Sequence, residues 1–290
     1  MPELPEVETV RADLALALKN KKIITLEILS KKSAQPSAEF LLKNLPGSSF
    51  LGAKRIGKLL IFPLNKKLFL LVHLRMTGQL IYVDGSVLKG GGHSDHGKIE
   101  KFSEIKLPNK HTRIIIKLSE GVSLYFNDLR KFGFLRLVDE KGLLATKKSF
   151  GVEPLAKEFS PAYLAKLLAG KKQKIKPFLL DQKFIAGLGN IYVDESLFAA
   201  KIRPDRSVNS LSPLEIKNLH QAIQKIIKKA IKLRGTTFSN YLDSRGRKGN
   251  FSGQLQVYGR GGKNCLVCNK KILKTKLFGR GTHFCEHCQK

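Results

Sequence analysis

The chain is poor in acidic residues, cysteine and long apolar runs. Among its 290 residues are four cysteines and two methionines, and there is no tryptophan. Its longer apolar stretches, such as 67–74, are far short of the roughly 20 residues that span a bilayer. The N-terminus is acidic, and it lacks the basic segment and apolar run of a secretion signal. We therefore expect a cytoplasmic protein with no membrane partner, and in a reducing compartment two CxxC pairs indicate a metal site rather than disulfides.

The shortage of acidic residues leaves a large excess of positive charge. Lysine and arginine number 53 against 23 aspartates and glutamates, which gives a formal charge of +30 and a pI near 10.1. Such a charge attracts a polyanion, and phosphate contacts supply much of the affinity of DNA-binding proteins. No long basic amphipathic helix dominates the sequence, so nucleic acid is favoured over an anionic membrane. The hydrophobic fraction of 42% is that of a globular protein.

The residue pattern changes from strands to helices along the chain. A helix is predicted at 3–19, and short β-rich runs separated by turn signals over 22–138 predict antiparallel strands in a sandwich or barrel. A glycine-rich stretch at 85–110 is interpreted as a long exposed loop, and a mobile loop is expected at 234–254. Helices are predicted at 161–168, 175–181, 190–200 and 213–233. The domain boundary is expected near 140–160.

The cysteines are spaced as zinc ligands. Two CxxC pairs, sixteen residues apart, match a four-thiolate pattern in which a hairpin completes a tetrahedron. Four protein ligands leave no open position for water, so one structural zinc ion is predicted. Free thiols in a surface tail are the alternative. The predicted ligands are Cys265, Cys268, Cys285 and Cys288.

The N-terminus carries a candidate nucleophile. Removal of the initiator methionine would expose the secondary amine of Pro2, and an α-amino group has a pKa of about 8 against about 10.4 for lysine. A helix start lowers this pKa further, because its dipole disfavours a cation. Glu3 and Glu6 lie on one helix face beside the amine, as a pair of carboxylates for proton transfer. Ordinary helix capping explains the same residues, so the pattern alone leaves both interpretations open.

A glycine-containing turn precedes the predicted helix at 190–200. The run AGLGNIY at 186–192 permits a tight turn, and the free N–H groups of a helix start bind anions. No strand enters the turn, so a dinucleotide-binding motif is disfavoured. A plain turn between helices is the alternative, and the net charge favours a DNA phosphate.

Three further motifs stand out, PELPEVET at 2–9, HLRMTG at 73–78 and NDLRKFG at 127–133. Together they resemble formamidopyrimidine-DNA glycosylase, the bacterial repair enzyme for oxidised purines, and PELPEVET carries the most specific likeness. DQK at 181–183 with GLGNIY at 187–192 is similar to the helix–two-turn–helix signature of that family. QVYGR at 256–260 and the four cysteines resemble its zinc finger. The resemblance covers nearly the whole chain in the right order.

The resemblance implies a multidomain α+β fold and a bifunctional DNA glycosylase and lyase. Its domains would be an antiparallel β-sandwich at 1–140, a helix–two-turn–helix domain at 155–258 and a β-hairpin zinc finger at 259–290. Pro2 would attack the sugar of the damaged nucleotide, Glu3 would donate and accept protons, and Glu6 would orient the site. Lys58 matches the family lysine beside the reacting sugar. The implied partner is duplex DNA with oxidised bases or abasic sites, bound by a monomer at the bacterial nucleoid.

Further residues match DNA-contacting positions of that family. Met76, Arg130 and Phe132 match three residues that fill the gap left by the everted base, and Arg130 suits a cytosine opposite the lesion. Core packing is the alternative for Met76 and Phe132. A loop with Thr236, Thr237 and Tyr241 resembles the one that closes over the base. The remaining DNA-binding candidates are His73, Lys176, Asn190, Tyr258 and Arg280.

The sequence departs from the family pattern at three places. Leu129 and Lys131 replace the usual proline and arginine beside the wedge, Arg75 replaces a small residue, and the 85–110 segment is longer than usual. Two other functions stay open. An endonuclease VIII-like relative would prefer oxidised pyrimidines, and a non-catalytic zinc-finger protein would bind DNA with strong salt dependence and form no covalent intermediate.

Overall fold

The computed structural model describes residues 2–85, 87–93, 106–236, 241–242 and 249–290, of which 87–93 and 241–242 are described by their backbone alone. The chain forms two compact units. The first contains residues 1–148 and 233–250, and the second contains 149–232 and 251–290. The change of unit falls after residue 148. The segment 233–250 differs from the expectation, because it belongs to the first unit instead of the helical domain.

The first unit contains two sheets and three helices within its described residues. The helices are α1 (Leu4–Ala17), α2 (Ala38–Asn44) and α3 (Glu140–Lys148). The strands are β1 (Ile23–Ile28), β2 (Ala34–Gln35), β3 (Lys54–Ile56), β4 (Leu59–Pro63), β5 (Phe69–His73), β6 (Gly78–Asp84), β7 (Val87–His93), β8 (Thr112–Leu118), β9 (Ser123–Asp128), β10 (Phe134–Val138) and β11 (Tyr241–Leu242). One sheet has the strand order β1-β8-β9-β6-β7-β11, and the other has the order β2-β10-β5-β4-β3.

The two sheets enclose one hydrophobic core. Alternate residues such as Leu60 and Phe62 of β4, and Leu80 and Tyr82 of β6, point into the same cluster. This alternation follows from the two-residue period of a strand. The predicted sandwich is confirmed, and its strand pairs are antiparallel except for β2 with β10. Helix α1 contributes Val7, Val10 and Leu14 to the same core, which matches the predicted helix.

The prediction of a long exposed loop at 85–110 is wrong in its first part. Residues 87–93 form β7, which pairs antiparallel with β6. The paired residues run from Asp84 with Val87 to Gln79 with Gly92. Three glycines at 90–92 lack the side-chain pattern on which a strand prediction depends. Their backbone N–H and C=O groups still form a ladder, and helix α1 contacts this strand. A glycine run permits such a close approach by a helix. Residues 94–105 lie outside the described part.

The second unit contains the predicted helices. They are α4 (Pro161–Leu168), α5 (Ile175–Leu180), α6 (Asn190–Ala199) and α7 (Pro213–Lys232). Ser160 caps α4 by accepting a hydrogen bond from the Tyr163 N–H at 3.1 Å. Along α7 the buried positions include Leu219, Ile223, Ile227 and Ala230, which follow one another at the three- and four-residue steps of an amphipathic helix. No helix within the described ranges is both long and apolar enough to cross a membrane.

The predicted zinc module is a hairpin of the second unit. Its strands are β12 (Leu273–Leu277) and β13 (Arg280–Phe284), paired antiparallel. The hairpin contacts α6 and belongs to the same compact unit as the helices. The sequence instead predicts a separate domain at 259–290. The difference arises from buried polar contacts between α6 and the hairpin, which are described below.

Candidate active site and nucleic-acid interface

Two buried carboxylates follow Pro2 in the chain at the N-terminus of α1. Pro2 is buried, and Glu3 and Glu6 are only 3% and 2% exposed. Glu3 is the N-cap residue of α1, and the Glu6 carboxylate accepts a hydrogen bond from the Glu3 N–H at 2.8 Å. The partial positive charge of a helix start stabilises carboxylates here. The predicted amine and its two acidic neighbours therefore occupy one sheltered helix terminus.

Glu6 also binds the segment that follows α7. Its second oxygen accepts a hydrogen bond from the Thr236 N–H at 2.6 Å. A Cβ on Gly235 would lie 2.6 Å from the same oxygen, and Gly235 has φ +82°. Arg234 forms a salt bridge with Asp13 of α1. These contacts explain why 233–250 belongs to the first unit.

The loop that is expected to close over the damaged base lies partly outside the described residues. Thr237 falls in the undescribed range 237–240, and 243–248 are also undescribed. The Tyr241 backbone is in β11, which pairs with β7. Sequence reasoning missed Gly235. The signal that could have identified it is its position directly before the two threonines.

Lys58 lies in the tight turn between β3 and β4. Gly57 has φ +54°, and Arg55 donates to the Gly57 carbonyl oxygen and to Glu8 of α1, each at 3.0 Å. Burial raises the pKa of Glu8, but hydrogen bonds from Arg11 and Arg55 outweigh it and hold the pKa below its ordinary value. An ionised Glu8 thus ties the Lys58 turn to the helix that begins after Pro2.

His73 ends β5 next to Lys58. Leu59, which follows Lys58, is paired with His73 in the sheet. Burial, aided by the charges of Arg75 and Lys58, lowers the pKa of His73 to about 3. Its Nδ1 accepts a hydrogen bond from the Arg75 N–H at 3.0 Å. A neutral imidazole that accepts at Nδ1 carries its proton on Nε2, so His73 is a neutral donor.

Met76, Arg130 and Phe132 come together at an exposed position. Met76 is 38% exposed and Phe132 is 54% exposed, so core packing is excluded for both. The Arg130 Nη1 lies 3.2 Å from the Met76 Sδ, and the guanidinium carbon is 5.2 Å from the Phe132 ring centre. Neighbouring Leu129 is exposed as well. Large apolar side chains grouped at a surface mark a binding site.

Lys176 lies in an interior that differs from the predicted phosphate contact. Its side chain is 1% exposed, and its Nζ donates to Asp194 at 2.6 Å, to the Gly281 carbonyl oxygen at 3.0 Å and to the Thr282 hydroxyl at 2.9 Å. An ammonium group has three donors, and each of them has an acceptor in the protein. The structure thus corrects the interpretation of Lys176: it joins α5 and α6 to the hairpin.

Asn190, Tyr258 and Arg280 are arranged around the same helix and hairpin. The Asn190 side-chain amide donates to the Gly281 carbonyl oxygen at 2.8 Å, and Arg280 is exposed at the start of β13. The Tyr258 N–H donates to Glu195 at 2.8 Å, together with the N–H groups of 256 and 257. Glu195 is buried, and sequence reasoning missed it because a single acidic residue inside a helix carries no motif.

The predicted glycine turn before α6 is organised by one side chain. The Gln182 side-chain oxygen Oε1 accepts a hydrogen bond from the Gly187 N–H at 2.8 Å. Its amide donates to the carbonyl oxygens of Leu180 and Leu188 at 2.8 and 2.9 Å. Gly187 has φ +100°, a conformation that favours glycine. Gln182 therefore shapes the turn that leads into the N-terminus of α6.

The four cysteines form one cluster. All four sulfur atoms lie within 4.8 Å of one another. A tetrahedral zinc with Zn–S bonds of about 2.3 Å requires sulfurs about 3.8 Å apart. The distances of 3.9 Å for Cys265–Cys288 and 3.4 Å for Cys268–Cys285 fit that geometry. These residues can hold one structural zinc ion.

Comparisons with known proteins cover most of the chain. The family models for the formamidopyrimidine-DNA glycosylase N-terminal domain and H2TH domain match residues 1–135 and 150–241. A zinc finger found in FPG and IleRS matches residues 262–290. The formamidopyrimidine-DNA glycosylase of Pelotomaculum thermopropionicum is 41% identical, over 100% of this chain and 99% of the relative.

Two solved structures of the Lactococcus lactis Fpg are each 37% identical to the chain. Its complex with an abasic site containing DNA has a TM-score of 0.87 and covers 99% of both chains. The complex of the wild-type protein with a DNA containing N7-benzyl-Fapy-dG has a TM-score of 0.86 and covers 100% of both.

Proposed function

The chain belongs to the formamidopyrimidine-DNA glycosylase family, and from this premise we propose how its own residues act. It is a base-excision-repair DNA glycosylase that removes oxidised purines from duplex DNA. We propose that the same site then cleaves the strand through a Schiff base on Pro2. The observation that carries the proposal is the buried start of α1, where Glu3 and Glu6 follow Pro2 in the chain and the Glu3 N–H donates to the Glu6 carboxylate.

The amine of Pro2 begins the reaction once Met1 has been removed. Its lone pair forms a bond to the sugar C1′ while the bond from C1′ to the base breaks and its electron pair leaves with the base. Glu3 accepts the proton that the nitrogen loses and passes it to the ring oxygen O4′, so that the sugar opens and the nitrogen lone pair forms an iminium with C1′. An amine suits these steps because an activated water would stop at base removal.

The iminium makes strand cleavage possible. Its positive charge acidifies the C2′ proton, which a carboxylate can accept. The C2′–H electron pair then forms a double bond as the 3′ phosphate leaves, and a second elimination releases the 5′ phosphate. Glu6 holds Glu3 through the 2.8 Å hydrogen bond from the Glu3 N–H. Glu6 thereby orients Glu3 and does not itself act on the sugar.

Lys58 and His73 suit the phosphates of the everted nucleotide. Lys58 brings a positive charge on a turn tied to α1, and its neighbour His73 offers an Nε2–H donor that stays neutral. One charged and one neutral donor side by side avoid mutual repulsion. We propose that both contact the phosphates around the reacting sugar.

Met76, Arg130 and Phe132 fill the place of the everted base. Flipping a base costs a few kcal/mol of unstacking. The exposed Met76 and Phe132 offer apolar surface to the gap, and Arg130 between them carries donors for the acceptor edge of cytosine. We therefore propose a preference for lesions opposite C.

The second unit contacts the DNA backbone. Asn190, Tyr258 and Arg280 lie around the start of α6 and the hairpin, and we propose that these three contact phosphates. Lys176 is left out, since its donors are already used within the protein. Cys265, Cys268, Cys285 and Cys288 hold one zinc ion, which folds the hairpin that presents Arg280.

The proposal also covers the oligomeric state, the cellular location and the segment that closes over the base. The protein works as a monomer in the bacterial cytoplasm at the nucleoid. Tyr241 belongs to the segment proposed to close over the damaged base, with Thr236 at its start. Two alternatives remain for experiment, namely preference for oxidised pyrimidines and DNA binding without catalysis.

Borohydride trapping tests the proposed chemistry. The protein is mixed with a duplex carrying 8-oxoguanine opposite C, reduced, and digested for mass spectrometry. We expect an adduct on the Pro2 nitrogen, whereas an adduct on Lys58 would contradict its assignment as a phosphate contact. Faster trapping on an oxidised pyrimidine duplex would favour the endonuclease VIII-like alternative. Binding without trapping on these duplexes and on an abasic duplex would favour the non-catalytic alternative.

A further inference from the structure

Asp128, at the end of β9, has a fully buried carboxylate that accepts three hydrogen bonds. One oxygen accepts from the Thr77 hydroxyl and, at 3.2 Å, from the Arg130 N–H. The other accepts from the Gly133 N–H at 2.7 Å. The relative exposure of Asp128 is 0%. A buried carboxylate is costly unless donors satisfy it, and these three provide that compensation.

The three donors belong to the two turns that carry the gap-filling side chains. Thr77 follows Met76 in the turn between β5 and β6. Arg130 and Gly133 belong to the turn between β9 and β10, which also carries Phe132. The Thr77 hydroxyl accepts a hydrogen bond from the Arg130 N–H at 3.0 Å as well. The two turns are therefore joined through Thr77 and Asp128.

Both turns contain backbone conformations that a side chain disfavours. Arg75 has φ +52° and Lys131 has φ +57°, the left-handed region that favours glycine. Met76 and Phe132 are exposed, so packing of these two side chains does not hold the turns in place. The hydrogen bonds to Asp128 therefore help to compensate the strained backbone of the second turn, and they link it to the first.

Gly133 shows how closely the second turn is held. A Cβ at this position would lie 2.8 Å from the Phe126 ring and 2.9 Å from the His73 carbonyl oxygen. It would also lie 3.2 Å from the Asp128 carboxylate. The backbone at Gly133 is therefore closely packed on several sides, and its N–H donates to the Asp128 carboxylate. Arg113 fixes the Asp128 backbone from the other side by donating to its carbonyl oxygen at 2.8 Å.

We propose that Asp128 is a positioning residue for base eversion, which sets the spacing of Met76 relative to Arg130 and Phe132 through the Thr77 hydroxyl. Asp128 is buried and does not touch DNA. It acts by keeping the three exposed side chains in one arrangement before DNA is bound. This inference depends on the proposed function of those three residues and adds the acid that holds them.

The test compares Asp128→Asn, Thr77→Val and Thr77→Ser. Asparagine keeps the shape of aspartate but turns a donor toward the Gly133 N–H or the Thr77 hydroxyl. Valine removes only the Thr77 hydroxyl, while serine restores it and is the matched control. Single-turnover excision of 8-oxoguanine is measured opposite C and opposite A, together with the fluorescence of a 2-aminopurine next to the lesion. The ratio of the two excision rates is independent of the active fraction, so partial unfolding alone cannot change it.

We expect Asp128→Asn and Thr77→Val to slow excision opposite C roughly tenfold, the effect of losing a charge-assisted hydrogen bond. The ratio of excision opposite C to excision opposite A falls toward one, and the fluorescence change slows. Thr77→Ser keeps the wild-type ratio and rate. Borohydride trapping on an abasic duplex falls less, because no base must be unstacked.

Two results separate the failure of this inference from that of the proposed function. A wild-type ratio and fluorescence rate in both Asp128→Asn and Thr77→Val, with a lowered melting temperature, would reduce Asp128 to a merely stabilising group. Absence of trapping in the wild-type protein would overturn the proposed function instead. If Asp128→Asn does not fold, the Thr77→Val and Thr77→Ser pair still decides the inference.

Discussion

Substitution of Lys176 distinguishes a phosphate contact from an internal brace. Lys176→Met keeps the length of the side chain but removes the ammonium that binds Asp194, Gly281 and Thr282. The Asp194 side chain is 0% exposed, so its charge is left without its cation. Breaking a buried pair in this way costs about 3 to 5 kcal/mol. A loss of that size lowers Tm by roughly 10 to 20 °C in a unit of this size.

The salt dependence of DNA binding gives the second measurement. Each phosphate neutralised by a lysine or arginine contributes about 0.9 to the slope of log Kd against log salt concentration. Arg280→Ala, at an exposed position of the hairpin, is the matched control. We expect it to reduce the slope by about 0.9 with little change in Tm. Lys176→Met is expected to reduce Tm and to leave the slope unchanged.

The double variant Lys176→Met with Asp194→Asn completes the comparison. Without either charge the interior holds no unpaired ion, so we expect part of the lost stability to return. Thermal unfolding followed by circular dichroism measures all four proteins. An unchanged Tm in Lys176→Met, combined with a slope reduced by about 0.9, would refute this reasoning and restore the phosphate contact.

Three further predictions concern pH, a close contact and the metal. His73 is protonated below about pH 6.5 when unfolded but only near pH 3 when folded, so stability falls as pH drops through this range. Denaturant titrations at pH 7 and pH 5 should show wild type losing about 2 kcal/mol more than His73→Gln; equal losses would contradict the lowered pKa. Gly235→Ala should lower trapping yield and stability, because its Cβ meets Glu6. Gly121→Ala, also at positive φ but with open space around it, is the control, and equal effects would exclude the contact. Chelation should release one zinc per chain and lower Tm, since binding of a structural zinc is coupled to folding; Cys268→Ser should release none, and an unchanged Tm after chelation would argue against a structural metal.

The local signals of the chain were sufficient for most of the architecture. Strand alternation over 22–138 and the three- and four-residue steps of α7 depend on neighbours in sequence, so both are visible without a structure. The cysteine spacing predicts its own cluster for the same reason. The role of Pro2 differs, because helix capping accounts equally well for the residues around it. Family resemblance was needed to favour a nucleophile.

Contacts between distant residues were decided only by the tertiary structure. Lys176 and Thr282 are 106 positions apart, and Glu6 and Thr236 are 230 apart. No local pattern indicates that a lysine of a basic protein is buried, nor that a segment after α7 returns to α1. The glycines of β7 likewise lack side-chain alternation, although their backbone pairs with β6.

The sequence by itself thus determined the kinds of elements, the zinc ligands and the candidate nucleophile. Tertiary structure decided which polar residues are exposed and which are buried in contacts that hold the protein together. The physical reason is that charge and hydrogen-bonding capacity belong to a residue type, whereas its partner depends on burial. Asp128 illustrates the difference: its carboxylate is evident in the sequence, but the turns that it joins become visible only once β6 and β9 are paired.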